Sequence, residues 1–204
     1  MTAGAGADWD AIYAQGETTR SWFQVEPVPS LRMLDRVGVS PEHGVIDVGG
    51  GASTLVDALL RRGFGDLTVL DISATGLRLA QDRLGAAAAG VRWIVADLLD
   101  WQPSRTYAVW HDRALFHFLT ARPAQDRYLE TLRAATAPGS VAIVGCFALD
   151  GPPSCSGRSV ARYDAPGLAE QLGAGWSPLQ EDRLEHATPA GASQPFTWAA
   201  FRRT

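Results

Sequence analysis

Short β-branched apolar runs alternate along this chain with stretches whose apolar residues recur every three to four positions. The runs at 45–48, 67–70, 91–95, 108–110 and 141–147 predict strands, nearly all apolar and so buried on both faces. Between them, 54–62, 74–84 and 125–137 predict amphipathic helices. In the second of these Leu77, Leu79, Ala80 and Leu84 form the apolar stripe, and Ser73 is the expected N-cap. Upstream, Ser30 is expected to cap a helix that runs through Val37 and stops at Gly38. Beyond Leu149 the texture changes: 150–157 predicts a loop and 168–172 a short helix. Two strand runs follow, 179–186 and 196–203, around the turn signal Thr188-Pro189-Ala190-Gly191.

Strand–helix alternation predicts a parallel sheet covered on both faces. The expected class is therefore α/β, a Rossmann-like doubly wound sheet of five parallel strands with a C-terminal antiparallel hairpin. Residues 29–204 are expected to form one domain. Residues 1–28, with Trp9, Tyr13, Trp22 and Phe23 and ended by Pro27 and Pro29, are expected to form an aromatic lid segment.

Composition narrows the function classes. A formal charge of -4 argues against a nucleic-acid partner, and no apolar run approaches the length of a membrane span. The first six residues lack the basic and apolar regions of a secretory signal, and two cysteines, Cys146 and Cys155, make no disulfide framework. Both point to the cytoplasm. All 18 basic residues are arginine, which excludes a Schiff-base, P-loop or general-base lysine and suits a GC-rich bacterial genome.

The densest signal is Val45-Ile46-Asp47-Val48-Gly49-Gly50-Gly51-Ala52-Ser53, a strand that breaks into three glycines and reopens as a helix. Such a turn lets a nucleotide approach the backbone, with unpaired N–H groups at the helix start. Ligands in doubly wound sheets sit beyond the carboxyl ends of the strands. The second strand ends at Asp71-Ile72, placed for ribose hydroxyls, and the third at Asp97-Leu98, placed to flank an adenine. The fourth ends at His111-Asp112. A nicotinamide fingerprint wants a third glycine where Thr54 stands.

From Val45 to the terminal hairpin the chain resembles the class I S-adenosylmethionine-dependent methyltransferases. That resemblance implies S-adenosylmethionine as cofactor. It implies that Asp47, Gly49 and Gly51 shape the methionine pocket, that Asp71 binds the ribose hydroxyls, that Asp97 and Leu98 bracket the adenine, and that Gly50, Ser53 and Ile72 are further cofactor contacts. Residues 111–115 stand where members acting on DNA or glutamine carry an [Asn/Asp]-Pro-Pro-[aromatic] motif. Asp112-Arg113-Ala114-Leu115, with Arg122 and Tyr128, is similar to thiopurine and related thiol methyltransferases. Trp9-x3-Tyr13 and Ser21-Trp22-Phe23 resemble small lysine methyltransferases, from whose Asp-Lys-Gly motif Arg113-Ala114 departs.

Methyl transfer to a small-molecule thiol, amine or hydroxyl is the expected activity. Protein lysine methylation is one alternative; an NAD-dependent oxidoreductase and a non-catalytic nucleotide-binding module are others. The oligomeric state is left open. His111 and Asp112 are the candidate bases, with His111 also a cofactor contact. Trp9 and Trp22, ahead of Tyr13, are expected over the cofactor's cationic sulfur. His117 is expected to be a buried, satisfied core histidine and His43 a loop residue, while His186 is a candidate for the acceptor pocket. Arg158 and Arg162 are placed to hold an acceptor carboxylate or phosphate. No cysteine–histidine spacing matches a metal motif.

Overall fold

The computed structural model describes residues 5–204; the first four residues of the expected lid lie outside it. The order is α1 (Ala5–Tyr13), α2 (Val28–Arg36), β1 (Val45–Val48), α3 (Leu55–Arg61), β2 (Leu67–Asp71), α4 (Ala74–Leu84), β3 (Val91–Val95), β4 (Val109–Arg113), α5 (Arg122–Ala134), β5 (Val141–Phe147), a two-residue hairpin β6 (Ser154–Cys155) and β7 (Arg158–Ser159), α6 (Ala165–Leu172), β8 (Trp176–Ala187) and β9 (Ser193–Arg203). Seven strands form one sheet in the order β3-β2-β1-β4-β5-β9-β8. β1 to β5 are parallel, β9 runs antiparallel beside β5, and β8 closes the edge. The expected doubly wound sheet with a terminal hairpin is what forms.

Interior strands are buried along their whole length in β1, β2 and β5, as their unbroken apolar runs require. Side-chain alternation divides the core in two. Val45, Val69, Val109 and Ile143 pack on one face with Leu34 of α2 and Leu55 and Leu59 of α3. Ile46, Leu70, Trp110 and Val144 pack on the other with Tyr128 and Leu132 of α5 and Leu168 of α6.

Caps set several boundaries. Ser73 Oγ accepts the Gly76 N–H at 3.0 Å and opens α4 as expected. Ser30 caps nothing: α2 starts two residues earlier, with Pro29 in its first turn where a missing N–H is harmless. α5 likewise begins at Arg122 rather than 125, with Pro123 in its first turn. The consequential difference is β4, expected to end at Trp110. It runs through His111, Asp112 and Arg113, which pair with Ile143, Val144 and Gly145 of β5.

The strand order reverses between β1 and β4, and the crevice lies beyond their carboxyl ends. Among the described residues no helix is long and apolar enough to cross a membrane.

Candidate active site

A cavity of about 310 Å³ opens at that reversal, within the range of pockets that hold small ligands. β1 supplies Asp47 and the turn Gly49-Gly50 to its floor, and β2 supplies Asp71 and Ile72. Ala96 and Leu98 after β3 line one end; Arg113, Ala114 and Leu115 after β4 line the other. Trp9 and Tyr13 of α1, with Trp22, Phe23 and Gln24, form the roof.

The glycine turn is constrained by its surroundings. Gly49 and Gly51 have φ of 67° and 48°, in the left-handed region that side chains avoid. A Cβ on Gly49 would meet Leu115 at 2.7 Å, and one on Gly50 would meet Val69 at 2.6 Å. One on Gly51 would run into the Tyr13 hydroxyl. Arg83 of α4 braces the turn from outside, donating to the Ala52 carbonyl at 3.0 Å and the Ser53 carbonyl at 2.8 Å while pairing with Asp57 and Glu17. An arginine in the last turn of a surface helix gives no sequence signal for that task.

Asp71 is buried, its Oδ1 accepting the Ser73 N–H at 2.7 Å. Burial pushes its pKa up from 3.8 to about 7, with Asp47 adding repulsion and the Ser73 and Gly51 N–H groups opposing. Tyr13 sits beside it, 7% exposed, its phenol held above its ordinary value by burial and then by Asp71. Tyr13 is thus the roof residue nearest the floor. Trp9 and Trp22 also line the cavity, at ring separations of 6.0 Å from each other, 5.4 Å between Trp9 and Phe118, and 6.2 Å between Trp22 and Tyr13. Asp10 pins α1 down, accepting from Ser73 Oγ at 2.6 Å and the Thr75 N–H at 2.8 Å.

Of the residues expected to hold a cofactor, Trp9, Trp22, Asp47, Gly49, Gly50, Ser53, Asp71, Ile72 and Leu98 come together around this cavity. Gly51 lies just beneath the Tyr13 ring. Asp97 is not in the lining, where Ala96 and Leu98 stand; its Oδ1 accepts the Leu99 N–H at 3.0 Å.

His111 and Asp112 do not reach the cavity, because β4 continues past them and buries one on each face of the sheet. His111 is 1% exposed, with Nδ1 2.7 Å from Asp47 Oδ1 and Nε2 3.0 Å from Ser30 Oγ. It therefore orients Asp47, the residue that does line the cavity. Asp112, fully buried, accepts from Tyr128 Oη at 2.7 Å and from the Leu115 N–H at 3.0 Å. Burial pushes its pKa up to about 6, those bonds opposing. Neither is in the cavity lining, and each is held by partners within the fold, which supports a positioning role over that of the expected base.

The remaining histidines are also buried or remote. His117 is fully buried between Phe118 and Phe147, and neither ring nitrogen has a partner, so it is a core residue but not a satisfied one. His186 binds the Ser21 carbonyl at 2.7 Å and lies outside the cavity lining. Arg158 lines the cavity but pairs with Asp8 at 2.8 Å and lies over the Trp9 ring. Arg162 donates to the Gly151 carbonyl at 3.0 Å, away from the cavity. Among the described residues no cluster of metal ligands occurs, and Cys146 and Cys155 are free and buried.

The floor suits a nucleoside-bearing cofactor. Side chains are excluded at the turn, a buried carboxylate waits at the end of β2, and apolar residues stand at the end of β3. Comparison with known proteins agrees. Residues 45–139 match the family described as Methyltransferase domain. A zebrafish (Danio rerio) relative, EEF1A lysine methyltransferase 2, is 25% identical over 154 residues, covering 67% of this chain and 65% of that protein. The chain thus matches just under two thirds of that relative's length. A SAM-dependent methyltransferase of Anabaena variabilis superposes with a TM-score of 0.76 at 16% identity, covering 100% of this chain and 96% of that one. The 1,6-didemethyltoxoflavin-N1-methyltransferase of Burkholderia thailandensis, solved with its substrate and S-adenosylhomocysteine, gives 0.70 at 19% identity, covering 98% and 84%. Sheet order, cavity and domain match define a class I methyltransferase fold. Over residues 45–139 the chain is similar to the methyltransferase-domain family, and its fold is that of the S-adenosylmethionine-dependent methyltransferases.

Proposed function

We propose that this protein transfers the methyl group of S-adenosylmethionine to a small-molecule thiol or amine. The observation that carries it is the cavity floored by the glycine turn and buried Asp71 and roofed by Trp9, Tyr13 and Trp22. When bound, S-adenosylmethionine supplies a methyl group on a sulfonium that is already activated, so the chain's task is alignment and exclusion of water. Asp71 accepts the ribose hydroxyls, with Ile72 beside it. Ala96 and Leu98 flank the base. Gly49, Gly50 and Ser53 leave room for the amino-acid end beside Asp47, and the aromatic roof offers ring faces to a cation.

The titratable lining favours acceptors that need no enzyme base. Glu17, Asp47 and Asp71 belong to the cofactor's half, while the β4 end presents Arg113, Arg158 and the Cys155 thiol. A thiol ionises near pH 8.5 and an amine carries a free lone pair when neutral, whereas a hydroxyl requires a base. The same arginines disfavour a lysine ammonium as acceptor, although the zebrafish relative's name points there.

Isothermal calorimetry against S-adenosylhomocysteine, with NAD in parallel, tests the cofactor. Micromolar binding of the first and silence of the second is expected. Release of S-adenosylhomocysteine in a panel of small thiols and amines, against a lysine peptide, tests the acceptor. Turnover on the peptide alone would overturn the small-molecule reading.

A further inference from the structure

Arg113 is the charged residue of the cavity whose partner is missing. It is the last residue of β4, and its Nη2 is out of contact with solvent without any hydrogen-bond partner. The contact it does make is apolar: its guanidinium carbon lies 5.5 Å from the centre of the Phe196 ring. Every other arginine near the cavity is engaged, Arg158 with Asp8 and Arg83 with Asp57 and Glu17. The nearest acid, Asp47, is bonded to His111.

A guanidinium in such surroundings remains charged, although burial lowers its pKa to about 10 with Asp47 opposing. Arg113 as a whole is partly buried, yet a buried guanidinium N–H left without an acceptor is costly. Folds keep one where a ligand supplies the counter-ion. The groups around it reinforce the point: His117 and His186 are both held neutral, by burial first and then by the field of Arg113. Nothing in that wall offers a negative charge, since the Cys155 thiol is raised by burial.

Position says which ligand. Asp71, Ala96 and Leu98 stand on the β2 and β3 side of the strand reversal, whereas Arg113 lies beyond it, pairing with Gly145 of β5. Cys155, Phe118 and Phe196 surround that end.

We propose that Arg113 is the anion-recognition residue of the acceptor subsite, so that the acceptor is a small aromatic or apolar molecule carrying a carboxylate or phosphate-class anion. This rests on the methyltransferase reading above. A guanidinium presents paired donors to such an anion, and the Phe196 and Phe118 rings supply the apolar remainder of the subsite. The cofactor's own carboxylate shares that chemistry, and the test separates the two sources.

The protein is first saturated with S-adenosylhomocysteine, whose carboxylate is then in place. Phenylacetate and phenylphosphonate are titrated by calorimetry against the neutral probes phenylacetamide and benzyl alcohol. At least one acid should bind tenfold or more tightly than its neutral counterpart. In Arg113→Met that preference should fall to within about twofold while S-adenosylhomocysteine affinity holds; Arg113→Lys should keep part of it. Because the charge is unpaired, Arg113→Met should melt no lower than wild type. Equal binding of acid and neutral probes by the wild type overturns the proposal. So does a tenfold loss of S-adenosylhomocysteine affinity in Arg113→Met with the acid preference retained, which assigns the guanidinium to the cofactor. A large drop in melting temperature that Arg113→Lys reverses without restoring the preference makes Arg113 structural. Silence of the wild type towards S-adenosylhomocysteine, read before any acid is added, brings down the methyltransferase reading itself.

Discussion

Asp71 gives the sharpest test of how the cavity is built, because one carboxylate governs both stability and cofactor affinity. Its folded pKa is about 7 against 3.8 ordinarily, raised chiefly by burial. A carboxylate raised in the folded state stabilises the fold while it keeps its proton. That contribution is complete below about pH 4 and is lost as pH rises towards 7. At about 1.4 kcal/mol per pH unit, the Asp71 contribution falls by roughly 2–3 kcal/mol between pH 5 and pH 8. Asp71→Asn keeps the shape and removes the titration. Relative to wild type, the variant should therefore gain about 2–3 kcal/mol between pH 5 and pH 8, less about 1 kcal/mol at both pH values for a weaker bond to the Ser73 N–H. Urea denaturation at the two pH values, without ligand, reads this directly. In the same variant S-adenosylhomocysteine affinity should drop by tenfold or more, since an amide accepts from a ribose diol less well than a carboxylate. An identical stability difference at both pH values would refute the buried-carboxylate argument. Unchanged affinity would move the ribose elsewhere.

Other expectations follow from single contacts. Gly49→Val places a Cβ 2.7 Å from Leu115 at a φ of 67°, and should abolish S-adenosylhomocysteine binding in calorimetry while far-UV dichroism keeps its helical signal. His111→Ala removes the partner of Asp47 Oδ1 and of Ser30; it should destabilise by about 2–4 kcal/mol in urea melts. Its turnover should fall through cofactor affinity, and a kcat loss at saturating cofactor would restore the base role. Ala114, at φ 66°, holds a conformation that disfavours any Cβ; Ala114→Gly should stabilise by about 0.5–1 kcal/mol in thermal melts.

Much of this was legible in the sequence. β1, β3, α4 and β5 fall where their apolar patterns put them, because each is flanked by a turn or cap that the chain states outright: three glycines after Val48, Ser73 before Ala74. The cavity floor was legible for the same reason, since strand ends in a doubly wound sheet converge. What the sequence hid was long-range pairing. His111-Asp112-Arg113 reads as a polar strand end, yet each of the first two residues has a partner distant in sequence, Asp47 and Tyr128, that lets it be buried. Arg83 is an ordinary helix residue until the fold lays it against the glycine turn, and Tyr13, ranked behind the two tryptophans of the lid, is the one that lies against Gly51. Ala114 departs from the glycine of the lysine-methyltransferase motif in identity but adopts a left-handed backbone all the same.

The run-on of β4 also explains how the cavity divides its labour. Period-two alternation sends His111 to the Asp47 face and Asp112 to the Tyr128 face, and the strand ends with Arg113 at the cavity. One continuous strand thus orients the acid that lines the cofactor's half, anchors α5 behind the sheet, and delivers the sole unpaired guanidinium of the described cavity lining to the other half. An earlier end to β4, as the polar pattern suggests, would put an imidazole at the reacting centre and leave Asp47 unsupported. With the imidazole bonded to Asp47 and Ser30, no histidine stands in the described cavity lining. Chemistry that needs only alignment, a dry apolar wall and a fixed positive charge for the acceptor's anion remains. On the proposed methyltransferase reading, selectivity is therefore expected to reside in what the acceptor carries beside its nucleophile, more than in the nucleophile itself.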